Sequence, residues 1–291
     1  MRFNLNQKIK SNFQGYSDFI ELYHAIKASS DKEIEINFSG TNWFEANLSA
    51  VLGGIIELLT VEGKKVTIKD VFNANVKDIL QRNSFLTDFG GNQIDQRKES
   101  IITYKKFYPN ADIDFIQYIK DELLTRPDFP RHSRKLEKKI NENIFELYEN
   151  ARTHGQCRQI HTCGQYYPSR KRLDITIVDM GRTIKKNVNE YLDKTCTGSE
   201  TIVWAIQYGN TTKTGNISGG LGLSIIMEFI QRNKGKIQIV SSDGFWEYRK
   251  GMMETKLFSH LFPGTIVTIE FNLEDKNSYQ LKEEISLDDI F

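Results

Sequence analysis

Apolar positions in the first hundred residues change period several times. Residues 16–29 carry Phe19, Leu22, Tyr23 and Ile26 at helical spacing, which predicts a helix. Residues 33–38 alternate apolar and polar, the pattern of a half-buried strand. A helix is expected over residues 46–60, a short strand over 65–68 and another helix over 75–82. Strand alternating with helix predicts a small α/β unit spanning residues 1–105.

The remainder reads differently. Residues 112–124 form an amphipathic helical pattern within a connector at 106–135, whose stretch 126–133 is basic and holds Pro127 and Pro130. Residues 136–153 read as one long helix, with Leu136, Ile140, Ile144, Leu147 and Ala151 near one face. Strands are expected at 160–167 and 173–178, and helices at 199–208 and 221–233. Further strands follow at 235–241, 245–248, 255–258 and 265–271. This order predicts an α+β sandwich over residues 136–273, with helices on one face of a mixed sheet. The segment 274–291 is polar and acidic. It reads either as disordered or as docking through Ile285, Leu287, Ile290 and Phe291.

Composition narrows the class. The 291 residues are 39% hydrophobic and 26% charged, enough apolar content for a sizeable core. A net charge of +1 supplies no global field for nucleic acid or a membrane surface. The start of the chain lacks an apolar signal region, and residues 46–61 are too short and glycine-containing to span a bilayer. Three cysteines, an odd number, suit a reduced cytoplasmic protein.

Four short patterns carry candidate chemistry. Glu146 and Asn150 are four residues apart on the long helix and project from one face, although a solvated polar face reads the same. The strand ending at Val178 runs into Asp179, with Gly181 two residues on. A carboxylate there can accept a hydrogen bond from an exocyclic amine while the glycine lets a flat ring approach. An ordinary Asp-x-Gly turn is the alternative. Gly220, Leu221 and Gly222 precede a helix, and such a turn presents backbone N–H groups to phosphates. No Walker lysine follows. Finally, Gly264-Thr265 opens the last strand.

Together and in this order, the four patterns resemble the N, G1, G2 and G3 boxes of the GHKL superfamily of ATPases. That superfamily includes sensor histidine kinases, anti-sigma-factor serine kinases, type II topoisomerases, mismatch-repair proteins and a heat-shock chaperone. The resemblance covers residues 131–273 and implies a Bergerat-type fold binding ATP and Mg²⁺. It implies that Glu146 orients attacking water and that Asn150 holds Mg²⁺. By the same likeness, Asp179 accepts the adenine amine and Gly181 packs on the base. Gly220, Leu221 and Gly222 form the phosphate loop, and Thr265 sits near the aspartate. A mobile lid would span residues 185–218, where Thr212 and Lys213 are candidates to reach the γ-phosphate. One position departs from the pattern: Thr183 stands where a second glycine is usual.

The first unit resembles a STAS domain, the fold of anti-sigma-factor antagonists, which are partners of GHKL serine kinases. Phosphorylated members carry a serine at the start of a helix. Here that position holds Ala46, and Ser49 lies one turn on.

These resemblances imply a slow ATPase serving as a nucleotide-controlled switch in bacterial signalling or defence. A serine kinase acting on a separate partner and a non-hydrolysing binding module are the alternatives. A protein partner at the STAS-like unit and a homodimer are both expected forms of association. His132 lacks the neighbouring acid of a phosphoacceptor histidine. His154, Cys157, His161 and Cys163 do not match a two-knuckle zinc spacing. The basic connector lacks the interleaved aromatics of a single-strand nucleic-acid site.

Overall fold

Alternation along one strand organises the molecule. In the strand Arg172–Asp179, the residues Leu173, Ile175 and Ile177 enter one apolar cluster while Val178 enters another. This is what a strand covered on both faces requires. The computed structural model describes residues 1–89, 91, 100–207, 209–210, 212 and 224–284. Within them the chain runs β1 (Arg2–Asn4), β2 (Lys8–Ile9), α1 (Phe13–Ala28), β3 (Glu33–Asn37), β4 (Trp43–Phe44), α2 (Ser49–Val61), β5 (Lys65–Lys69) and α3 (Ala74–Arg82). It continues through β6 (Ile101–Phe107), α4 (Asp112–Ile119), α5 (Arg134–Asn150), β7 (Ile160–Tyr167), β8 (Arg172–Asp179), α6 (Ile184–Leu192), α7 (Gly198–Ile206), α8 (Ser224–Asn233), β9 (Lys236–Arg249) and β10 (Met252–Asn272). The class is α+β. Among the described residues no helix is long and apolar enough to cross a membrane.

The N-terminal strands are parallel, in the orders β1-β3-β5 and β2-β4. The larger sheet has the order β6-β7-β8-β10-β9, and each neighbouring pair is antiparallel. The expected mixed sheet is therefore corrected. Its hairpins explain the difference. Lys250 (φ 50°) and Gly251 (φ 83°) supply the two left-handed residues of a tight turn joining β9 to β10. Lys171 (φ 43°) ends the short turn from β7 to β8. The strands expected separately at 245–248 and 255–258 belong to the long arms of β9 and β10. The expected unit boundary at residue 105 falls inside β6, an edge strand of the larger sheet.

Helices α5 to α8 pack on one face of that sheet, and helices of the N-terminal unit cover the other. On one side Ile175, Ile177, Ile239, Val267 and Ile269 pack with Ile140, Ile144 and Leu147 of α5. On the other, Val178, Val240 and Ile266 pack with Phe19 of α1 and Leu52 and Ile55 of α2. Polar residues on this second face are buried too. The Tyr16 hydroxyl lies 2.9 Å from Thr268 Oγ1 and 3.1 Å from Gln238 Oε1. Asn47 Nδ2 donates to Thr176 Oγ1 at 2.8 Å and to Ser11 Oγ at 2.9 Å. Glu45 meets Arg172 at 2.7 Å and accepts from the Ser11 amide at 2.7 Å. Burial works to raise the Glu45 carboxyl, yet Arg172, the Ser11 amide and Lys236 hold it below its ordinary value. These bonds from Tyr16, Asn47 and Glu45 cross the seam between the N-terminal unit and the sheet and satisfy polar groups that burial takes from water.

Candidate functional site

The long helix sets the first wall. Ser133 caps it, its Oγ accepting from the Leu136 amide at 3.1 Å. Leu136, Ile140, Ile144 and Leu147 bury one stripe against the sheet. That places Glu146 and Asn150 on the flank that lines a pocket of about 270 Å³. The α-helix ends at Asn150 rather than at residue 153. Ala151–Gly155 is a single wider turn, of the kind often found at functional sites.

The floor comes from β8 and β10. Asp179 is the last residue of β8 and stands in register with Thr265 of β10 and Ile160 of β7. Its side chain lines the pocket and is buried, with Oδ1 accepting from the Gly181 amide at 3.2 Å. Burial pushes the Asp179 carboxyl up to about 8, with the Gly181 N–H pulling the other way. Two glycines permit this crowding. A Cβ on Gly155 would sit 2.9 Å from Asp179 Oδ1, and one on Gly181 would collide with the Gly155 carbonyl oxygen. Cys157 lies alongside, its thiol pushed up to about 12 by burial and by Asp179.

Thr265 is positioned by Ser241 of β9. Ser241 Oγ lies 3.1 Å from Thr265 Oγ1, donates to the Gly264 carbonyl at 3.0 Å and accepts from the Ile184 amide at 2.9 Å. One hydroxyl therefore ties the floor to the start of α6. Thr183 has a local reason as well. Its Oγ1 accepts from the Lys186 amide at 3.2 Å and caps α6, a role glycine has no side chain to fill.

The second wall was not read from the sequence. Asn187 Nδ2 donates to the His154 carbonyl at 3.2 Å, and the Arg182 amide to the Gly155 carbonyl at 2.6 Å. Arg182 Nε reaches Asn187 Oδ1 at 2.8 Å, and its guanidinium pairs with Glu190. These bonds stitch α6 to the turn after Asn150. Within the expected lid at 185–218, α6 and α7 are regular helices. His154 Nδ1 lies 3.2 Å from Thr212 Oγ1, and both residues line the pocket. Trp204 on α7 completes the rim.

The structure thus brings Glu146, Asn150, Asp179, Thr265 and Thr212 around one pocket, with Gly181 bonded directly to its aspartate. Lys213, Gly220, Leu221 and Gly222 lie outside the described residues, as do residues 285–291. Helix α8 begins against α5: the Ile225 amide donates to Asn143 Oδ1 at 3.2 Å.

Chemically, Ile177, Val188 and Val267 provide apolar walls for a flat ring. Asp179 supplies a buried acceptor, and the mouth is polar. Among the described residues no group of three His, Cys, Asp or Glu side chains can hold a metal ion. Asn150 Nδ2 is buried without a hydrogen-bond partner among them, so at that atom the amide is not consumed by protein. That nitrogen is a donor; a Mg²⁺ ion would instead take the Asn150 amide oxygen together with oxygens of a bound phosphate and water.

Comparison of the chain with models of known protein families and with curated proteins returned no match. The assignment of a function therefore rests on these residues and their geometry.

Proposed function

We propose that this pocket binds ATP with Mg²⁺, in the manner of the GHKL superfamily, and that the chain is a slow ATPase acting as a nucleotide-controlled switch. The observation that carries the reading is Asp179: a buried carboxylate at a strand end, backed by the Gly181 amide and facing an apolar slot. An adenine amine is a donor of the right size for that acceptor. Glu146 and Asn150 stand at the mouth, on the side where phosphates would leave the slot.

Mg²⁺, held by Asn150, would draw charge from the phosphate oxygens. Glu146 would take a proton from the attacking water as general base. Thr265, fixed by Ser241, would hold the adenine edge beside Asp179. Thr212 and His154 line the remaining rim.

We read the N-terminal unit as STAS-like and as a fixed half of the sandwich. Its helices fill the second sheet face through the seam of Tyr16, Asn47 and Glu45. Phosphorylation of this unit by its own pocket is disfavoured: Ala46 has no hydroxyl, and Ser49 is wholly buried and accepts from Asn83 Nδ2 at 3.1 Å. A kinase activity would need its acceptor on a separate protein. Phosphate release from ATP, measured for the wild type and Glu146→Ala, tests turnover. Release no faster from the wild type than from the variant would remove the ATPase reading and leave a binding module.

A further inference from the structure

The outer arm of β10 presents an unpaired strand edge. Over Met252–Leu257 it is laddered to β9, while β8 joins β10 only over Thr265–Asn272. Among the described residues no strand pairs with the other edge of the 252–257 arm. Every residue of that arm is exposed, whereas its β9 partners from Gly244 to Tyr248 are buried or half-buried. The arm is also apolar for an edge: Met252 is 72% exposed, Met253 70% and Leu257 50%. Such an edge is a template for adding another strand.

The order of its side chains specifies which strand fits. Glu254, Thr255 and Lys256 are consecutive. We propose that two copies of the chain join through this edge, antiparallel, about a two-fold axis at Thr255. In that register Glu254 stands opposite Lys256 of the partner subunit, and Lys256 opposite Glu254 of the partner subunit. Met253 stands opposite Leu257 of the partner subunit, and the two Thr255 residues face each other. The charged pairs occupy one face of the new ladder and the Met–Thr–Leu stripe the other. Opposite charges, apolar pairs and threonine pairs are the favourable cross-strand neighbours. The two-fold axis makes the charged and the apolar pairs occur twice, with the threonine pair on the axis itself. In the single chain Glu254 and Lys256 already pair along the strand at 2.8 Å, so the dimer closes a square of four alternating charges. The outer hairpin arms of the two copies then form one four-stranded antiparallel ladder, β9-β10-β10-β9. The contact is small, so the dimer is concentration-dependent.

Charge reversal tests both the contact and its register. The full-length chain is measured by sedimentation velocity over a concentration series. The wild type is expected to pass from monomer to dimer. Glu254→Lys places lysine against lysine and Lys256→Glu places glutamate against glutamate, so each variant alone dissociates about tenfold or more readily. Mixed in equal amounts, the two variants regain every attraction and form a mixed dimer. Both positions are exposed, and unchanged melting temperatures certify the fold. A wild type that stays monomeric overturns the proposal. So do single variants that dimerise like the wild type, and a mixture that does not recover.

Discussion

Thr265 stands directly opposite Asp179 in the β8–β10 ladder. Ser241 holds the Thr265 hydroxyl at 3.1 Å, and Gly181 donates its amide to the Asp179 carboxylate at 3.2 Å. A strand pairing thereby brings a hydroxyl and a buried acid together at the floor of an apolar slot. Neither depends on a flexible loop for its placement.

The close approach at Gly181 makes a stability prediction. A methyl group there meets the Gly155 carbonyl oxygen, which the Arg182 amide already engages at 2.6 Å. Gly181→Ala is expected to destabilise the protein by about 1–3 kcal/mol, the usual cost of forcing atoms into a filled site. Denaturant unfolding measures it, and an unchanged midpoint would count against the crowded geometry.

Protonation of Asp179 predicts a pH dependence. Its folded value is raised from 3.8 to about 8 by burial, so the empty folded state holds a proton that the unfolded chain has lost. The resulting stability is fully present below 3.8 and is lost as pH rises through about 8. Burial also raises the Asp174 carboxyl, against the pull of Arg172, and adds to the trend. Asp179→Asn removes one of the two contributions and should flatten the fall in melting temperature with pH. A donor amine favours the ionised carboxylate, so ATP affinity should climb toward a plateau above about 8 and lose that slope in Asp179→Asn.

Glu146→Gln separates chemistry from binding. The amide keeps the shape and loses the base. Turnover should fall by about 10²-fold or more, while the dissociation constant for ATP moves only a few-fold. Equal losses in both would assign Glu146 to binding.

Polar contacts across the seam predict that the two halves fold as one. Tyr16→Phe leaves Thr268 and Gln238 without their buried hydroxyl partner and should cost about 1–3 kcal/mol. A chain beginning at residue 101 exposes Val178, Val240, Phe262 and Ile266 of the second core. It should aggregate rather than yield a soluble, cooperatively melting domain.

Much of this architecture was legible in the residues. The helical stripe from Leu136 to Leu147 and the apolar alternation of β8 and β10 marked the elements that frame the pocket. The four-residue spacing of Glu146 and Asn150 placed both on its flank. The second covered face was not legible, because Thr176, Gln238 and Thr268 are polar and nothing local in the sequence marks them as buried. Their burial depends on Tyr16, Ser11 and Asn47, which are distant in sequence. His154, Arg182 and Asn187 were missed for a similar reason. The wide turn after Asn150 re-aims the chain, and helical periodicity carries no signal for it. Very short strands such as β2 and β4 offer too few residues for a period to show.

Titration of ATP with Mg²⁺ into the wild type and into Asp179→Asn, followed by calorimetry, tests the central claim most directly. Saturable one-site binding by the wild type, weakened about tenfold or more in the variant whose melting temperature is retained, is the predicted result. Absence of ATP binding by the folded wild type, or equal affinity in the two proteins, would contradict it.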